Sequence, residues 1–317
     1  MYYGTVTLVP LERGVPQGSI LGPILFLSMI ADMPKHLKRD SLRSSTRVCG
    51  YADDTTVYCK ARSIQDLKEE FEIVASNMIS YCKSNGLILN GQKTQIITSA
   101  GTNINIKIGH EYVLVTQHIR LLGVEFDSNF TTVPYLKSLA REAKTRSSLI
   151  KRLSFCIPNY LLKPLSHGIL LGKILSAAPA AIPLKTQNKQ FQSGLLEDIK
   201  AIKATARTIT KIKLTDKISS DTVLWKAGLP SLSEAVSNNM ASLIWKARNQ
   251  MNPLGKFFET SNSTMTTRAL KNEKLTIYVP GHPEAAINHL ANVWNSCDLK
   301  SAKSLMEAKR LAKKHFK

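Results

Sequence analysis

Apolar residues recur with two different periods along this chain, and the change of period near residue 129 divides it. Residues 1–12 alternate loosely through Tyr3, Val6 and Leu8, as a strand does. A turn-rich stretch, ERGVPQGSILGP, then opens an apolar helix expected from about Gly22 to Met33, with Pro23 tolerated in its first turn. A basic loop (Lys35, Lys38, Arg39, Arg43) leads into RVCGYADDTTVYCKA, Arg47 to Ala61, a hairpin pattern with Asp53 and Asp54 at its turn. Ser63 and Asp66 suit an N-cap and capping box for a helix carrying Ile64, Leu67, Phe71, Val74, Met78 and Cys82 at helical spacing, ended by Gly86. Short strands are expected at LILN and QIITSA, then a hairpin around Ile108 to His110 into YVLVT, then HIRLLGVEFD. This order predicts an α+β layer, with helices on one face of an antiparallel sheet.

After Asn129 the pattern is helical almost throughout. It starts at TTVPYLKSLAREAKTRSSLIKRL and resumes over about Thr186 to Thr210, SSDTVLWKAGLP and Ser231 to Asn249. The most apolar run, PNYLLKPLSHGILLGKILSAAPAAIP, is interrupted by Lys163, Pro164, His167 and Lys173, so it reads as buried helices rather than the ~20 clean apolar residues of a membrane span. Residues 251–285 lack periodicity and read as linker. The expected organisation is 1–129, 130–250 and a linker with a basic helical tail over 251–317.

Charge narrows the class of partner. Lys and Arg number 43 against 23 Asp and Glu, a net charge of +20 over 317 residues, which favours a polyanion, nucleic acid before an anionic membrane. The helix from Thr132 to Leu153 has Lys137, Arg141, Lys144, Arg146, Lys151 and Arg152 against Glu142 alone. Five scattered cysteines show neither metal-ligand nor disulfide spacing. The first residues lack the layout of a signal peptide. An intracellular protein, nuclear or cytoplasmic and without a membrane segment, is the expectation.

The sharpest chemistry lies in YADD. Adjacent carboxylates at a hairpin turn repel unless a cation sits between them, and hard oxygen ligands favour Mg2+. Aspartate is also an ordinary turn residue. Two-metal nucleotidyl transfer would give the pair a task, and it needs at least one more carboxylate from elsewhere.

GVPQGSILGPILF before YADD, with NGQKT and LLGV after it, resembles the reverse transcriptase domain of non-LTR, LINE-like retrotransposons. The resemblance is close over residues 1–130 and looser beyond, and it implies a partial right-hand polymerase palm followed by an all-helical thumb. By this resemblance Asp53 is a direct metal ligand, Asp54 its weaker neighbour, and two Mg2+ ions the cofactors. Pro16, Gln17, Gly18 and Ser19 line the nucleotide and template, Tyr51 lies near the primer end, Lys93 near the triphosphate, and Leu122 and Gly123 belong to the primer grip. The implied partners are an RNA template, a DNA primer and deoxynucleoside triphosphates.

The family's first catalytic aspartate would precede the GVPQGS loop, yet residues 1–13 contain no Asp and only Glu12 as a carboxylate. The expectation is therefore an N-terminally truncated reverse transcriptase, weak or inactive alone. A non-catalytic nucleic-acid-binding remnant and a group II intron maturase-like protein stand as alternatives.

Overall fold

The computed structural model describes residues 14, 15, 18–40, 46–101, 105–109, 111–183, 188–249, 286–297, 299 and 301–315. The chain divides into two units, residues 1–119 and 120–317. The expected N-terminal strand and the expected linker over 251–285 lie outside the described residues.

In the first unit, α1 runs Gly22–Ile30 with Pro23 in its first turn, and a second short helix, α2, runs Met33–Leu37. The single helix expected to Met33 is thus divided, and Lys35 belongs to a helix rather than a loop. Pro34 explains the break: it lacks an N–H and its ring would clash with the carbonyl four residues back, that of Ile30. Strands β1 (Arg47–Tyr51) and β2 (Asp54–Tyr58) pair antiparallel, Val48 opposite Val57 and Tyr51 opposite Asp54. Helix α3, Ile64–Ser84, starts where Ser63 Oγ accepts the Asp66 amide at 3.1 Å. It packs Val74 and Tyr81 with Ile30, Met33 and Leu37, and Val48 and Val57 of the hairpin lie against that cluster.

Strands β3 (Asn105–Ile108) and β4 (Glu111–Leu114) form a second hairpin, and β5 (His118–Leu121) and β6 (Val124–Asp127) a third. The described strands therefore make three two-stranded sheets, not the single sheet expected. LILN and QIITSA are not strands; Ile96 makes one parallel bridge to Val115 and no more. A four-residue apolar run has the propensity for a strand, but a strand exists only where a partner edge meets it. HIRLLGVEFD, read as one run, folds back on itself because Leu122 (φ +48°) and Gly123 (φ +86°) both take positive φ, the geometry of a two-residue hairpin turn.

The second unit is helical beyond β6. Helix α4, Val133–Leu153, is followed by α5 (Asn159–Ser166), a π-helical turn over His167–Leu171, α6 (Gly172–Leu175) and α7 (Ala178–Ala181). The apolar run is buried helix as expected: Leu162, Leu170, Leu171, Ile174 and Ala178 all enter the core. Helices α8 (Lys189–Thr210), α9 (Ser220–Ala227) and α10 (Leu232–Asn249) follow, then α11 (Ala286–Ser296) and α12 (Leu305–His315). No helix among the described residues is long and apolar enough to cross a membrane.

The α4–α8 pair organises this unit. Gly194 lies so close to Leu136 that an added Cβ would stand 3.1 Å from the leucine Cβ. One helical turn and more further along, Ser147 Oγ donates to the Ala201 carbonyl at 3.2 Å, and Thr205 Oγ1 donates to Ser147 Oγ at 2.9 Å. Between these contacts on the same face of α8 sits Asp198, fully buried, with neither carboxylate oxygen hydrogen-bonded to a described residue. Burial, helped by the neighbouring Glu197 charge, raises its pKa from 3.8 to about 7.

A carboxyl whose pKa is raised by folding stabilises the fold in its protonated form. That contribution is complete below about pH 4 and is lost as the pH climbs toward 7. Asp198→Asn is expected to remove most of this pH dependence and to stabilise the protein by a few kcal/mol at pH 8, measured by urea unfolding at pH 5 and pH 8. Equal stability of the two proteins at both pH values would contradict the assignment.

Candidate active site

The β1–β2 hairpin places its two aspartates by alternation. Side chains of paired residues share a face, so Val48 with Val57 and Gly50 with Thr55 form one face, and Cys49 with Thr56 and Tyr51 with Asp54 form the other. The first face is held down: Val48 and Val57 lie on the apolar cluster, and Thr55 Oγ1 reaches Met33 Sδ at 3.7 Å. The second is open, with Tyr51 65 % exposed and Cys49 and Asp54 exposed beside it.

Two residues, Ala52 and Asp53, make the turn, and Ala52 sits at φ +51°. A non-glycine residue there is strained. Asp53 therefore stands at the tip and Asp54 at the start of β2 on the open face, both exposed. Neither makes a side-chain hydrogen bond or ion pair with another described residue.

The support beneath the hairpin is polar as well as apolar. Tyr81 of α3 donates to Asp32 Oδ1 at 2.7 Å and lies 2.9 Å from the Met29 carbonyl, tying α3 to the α1–α2 junction. Burial, reinforced by the bond to Asp32, pushes its hydroxyl pKa up to about 12. Glu70, fully buried in α3, accepts from Thr46 Oγ1 immediately before β1. Sequence reading missed both ties. The signal was a glutamate and a tyrosine falling on the apolar stripe of α3, where a polar group must find a partner.

The other residues singled out from sequence are dispersed. Pro16 and Gln17 lie outside the described residues. Gly18 (φ +86°) is exposed and Ser19 half-buried, just before α1, with the Ser19 carbonyl accepting from the Gly22 amide at 3.3 Å. Lys93 ends a 3-10 turn over Gly91–Lys93, capped by Asn90 Oδ1 on the Lys93 amide at 3.1 Å, and its side chain is exposed. Leu122 and Gly123 form the tight turn between β5 and β6, in the second unit, with Leu122 55 % exposed. In the first unit, Tyr51, Asp53 and Asp54 are the residues of this set that one element brings together.

As metal donors, Asp53 and Asp54 are hard and anionic, which fits Mg2+ in kind. They fall short in number: among the described residues no group of three His, Cys, Asp or Glu side chains is placed to hold a metal ion.

Residues 4–126, which contain the hairpin and α1, match the family described as reverse transcriptase (RNA-dependent DNA polymerase). This segment belongs to the reverse transcriptase family. The chain is similar to the RNA-directed DNA polymerase from mobile element jockey of Drosophila melanogaster, 24 % identical over 155 residues that make up 48 % of this chain and 17 % of that protein. It is also similar to the probable RNA-directed DNA polymerase from transposon BS of the same fly, 26 % identical over 149 residues, 45 % of this chain and 16 % of the relative. The jockey polymerase of Drosophila funebris is 26 % identical over 140 residues. The chain thus aligns with about one sixth of the length of these relatives. No solved structure matches it. Within the reverse transcriptase segment, the exposed ADD turn is the element whose chemistry is legible.

Ala52→Gly should relieve the positive φ at that turn. Glycine adds about 0.5–1 kcal/mol of backbone entropy cost, against about 1–2 kcal/mol of strain removed. The expected outcome is a first unit no less stable than wild type, and more stable by up to about 1 kcal/mol in urea unfolding. Destabilisation of the size seen for alanine-to-glycine changes in a helix interior would show that Ala52 is unstrained.

Proposed function

We propose that this chain carries the ADD portion of the nucleotidyl-transfer site of a non-LTR retrotransposon reverse transcriptase, acting on an RNA template, a DNA primer and deoxynucleoside triphosphates. The observation that carries the reading is the hairpin: within a matched reverse transcriptase segment, it presents Asp53 and Asp54 at an exposed tip and keeps the adjoining face open. Asp53 and Asp54 would hold Mg2+, and the ions would supply activation of the primer hydroxyl and neutralisation of the triphosphate.

The protein's own groups are assigned as follows. Asp53 is the principal carboxylate and Asp54 the weaker one, while Tyr51, on the same face as Asp54, stacks near the primer end. Gln17, Gly18 and Ser19, with Pro16 shaping their turn, contact nucleotide or template. Lys93 offers a solvent-facing ammonium to the triphosphate. Leu122 and Gly123 present a tight turn to the primer.

Two carboxylates do not complete the site, and residues 1–13 offer only Glu12. The chain as given is therefore proposed to bind a divalent ion weakly and to synthesise little or no DNA by itself. The runner-up reading, a non-catalytic nucleic-acid-binding protein, is favoured by the exposed cations of α4, which need no metal to act.

Two measurements bear on this. Mn2+ should broaden the amide resonances of Tyr51 to Thr55 in NMR spectra at millimolar ion, and Asp53→Asn with Asp54→Asn should abolish the effect; broadening that persists in the double variant removes the metal assignment. Primer extension on an RNA template with Mg2+ or Mn2+ should stay at background. Incorporation abolished by Asp53→Ala would overturn the proposed inactivity and leave the site assignment stronger.

A further inference from the structure

The helical unit has an open groove between α4 and the first turns of α8, with a volume of about 530 Å3. Its lining includes Lys137, Arg141 and Lys144 from α4, and Lys189, Gln190 and Ser193 from α8. The floor is made of small residues, Ala140 and Gly194, the latter being where α8 comes closest to Leu136. The groove exists because Gly194 has no side chain to fill it.

The fold sorts the six cations of α4. Lys137, Arg141 and Lys144 fall at i, i+4 and i+7, one stripe of the helix, and all three are exposed. Arg146 is turned to structural use: it donates to the Ile169 carbonyl at 3.0 Å and lies 3.5 Å from Glu142, which also holds Lys173 at 3.2 Å. Lys189, 52 positions after Lys137 in the chain, joins the stripe from the opposite wall. None of the four groove cations makes an ion pair among the described residues.

The groove has a single acid, Glu197, at one wall. It is already engaged by Lys200 at 2.6 Å, and that bond, with the charge of Lys144 contributing less, holds its carboxyl below the usual range. Four uncompensated cations around a floor of small neutral residues leave a strongly positive track open to solvent. The positive end of the α8 dipole points the same way.

From this we infer that the α4–α8 groove is a binding track for the phosphate backbone of a nucleic acid. A rise of 1.5 Å per residue sets Lys137 and Arg141 about 6 Å apart along the axis and Arg141 and Lys144 about 4.5 Å apart, steps that suit successive phosphates better than one isolated anion. Gln190 and Ser193 add neutral donors on the opposite wall. Nothing in the groove is shaped to read a base edge, so recognition is independent of sequence and driven by counterion release. The inference deepens the nucleic-acid reading of the preceding section, and it does not depend on the ADD turn, because every residue of the groove lies in the helical unit.

The test is fluorescence anisotropy of a labelled RNA–DNA hybrid with the full chain across a salt titration. One variant replaces Lys137, Arg141, Lys144 and Lys189 by alanine. A control replaces Lys211, Lys217, Lys226 and Lys246, which are equally exposed in the same unit and outside the groove. The groove variant should lose roughly tenfold to a hundredfold in affinity, with a log–log salt slope shallower by about 3 to 4, whereas the control should change little. Glu197→Gln should tighten binding severalfold.

Equal losses in both quadruple variants would overturn the proposal, since binding would then follow net charge alone. No loss in the groove variant would overturn it as well. Displacement of the hybrid by inorganic phosphate at matched phosphate concentration would mark a simple anion site and would also overturn it. Circular dichroism checks that each variant folds; if the groove variant does not, Lys137→Ala, Lys189→Ala and Glu197→Gln singly decide the matter by weakening, weakening and tightening. Asp53→Asn assayed alongside separates the two readings: it should leave anisotropy unchanged, so a failure of primer extension bears on the ADD site and leaves the groove untouched.

Discussion

A two-stranded hairpin is marginal in water by itself, so β1–β2 depends on the face it buries. Val48 and Val57 make that face, and the cluster of Ile30, Met33, Leu37, Val74 and Tyr81 receives it. Because strand side chains alternate, anchoring the valines dictates where everything else goes: Tyr51 and Asp54 must face outward together, and Asp53 must stand at the tip. A one-residue slip in pairing would turn the valines to solvent and the tyrosine inward, which is why the carboxylates are positioned by packing they do not touch. The bond from Tyr81 to Asp32 and the buried Thr46–Glu70 contact fix the base of the hairpin to α3 and the α1–α2 junction.

The same division between an anchored side and an open side recurs in the helical unit. The inner face of α4 carries Leu136, Leu139, Ala143 and Ile150 into the core, and its outer stripe carries Lys137, Arg141 and Lys144. Close approach at Gly194 brings α8 against that helix and converts a charged surface into a groove with two walls. Asp198, one turn further on the buried face of α8, is the exception to this economy: its carboxyl is held without a partner and stays protonated up to about pH 7.

Much of this was readable from residues alone. Helical spacing located α3, α4, α8, α9 and α10 to within a few positions, and Ser63 marked the start of α3 through a capping bond that the structure contains. The order GVPQGSILGP, YADD, LLGV pointed to the reverse transcriptase family that residues 4–126 match. Strands were read less well. LILN and QIITSA had the composition of strands and no partners, while HIRLLGVEFD concealed a turn at Leu122 and Gly123. The helix expected to Met33 stopped at Ile30 because Pro34 acts four residues behind itself.

What the sequence determined by itself was local: periods of 3.6 and 2, capping and turn residues, the adjacency of Asp53 and Asp54, and the excess of positive charge. These depend on neighbours along the chain, and a reader of the chain has them all. Tertiary structure decided the non-local matters. It chose which face of the ADD hairpin stays open, which three of the six α4 cations are left unpaired, and that Lys189 should join them across 52 positions of chain. The reason is physical: exposure and pairing are properties of what packs against a residue, and packing partners here lie tens of residues away, joined by contacts that no local pattern encodes.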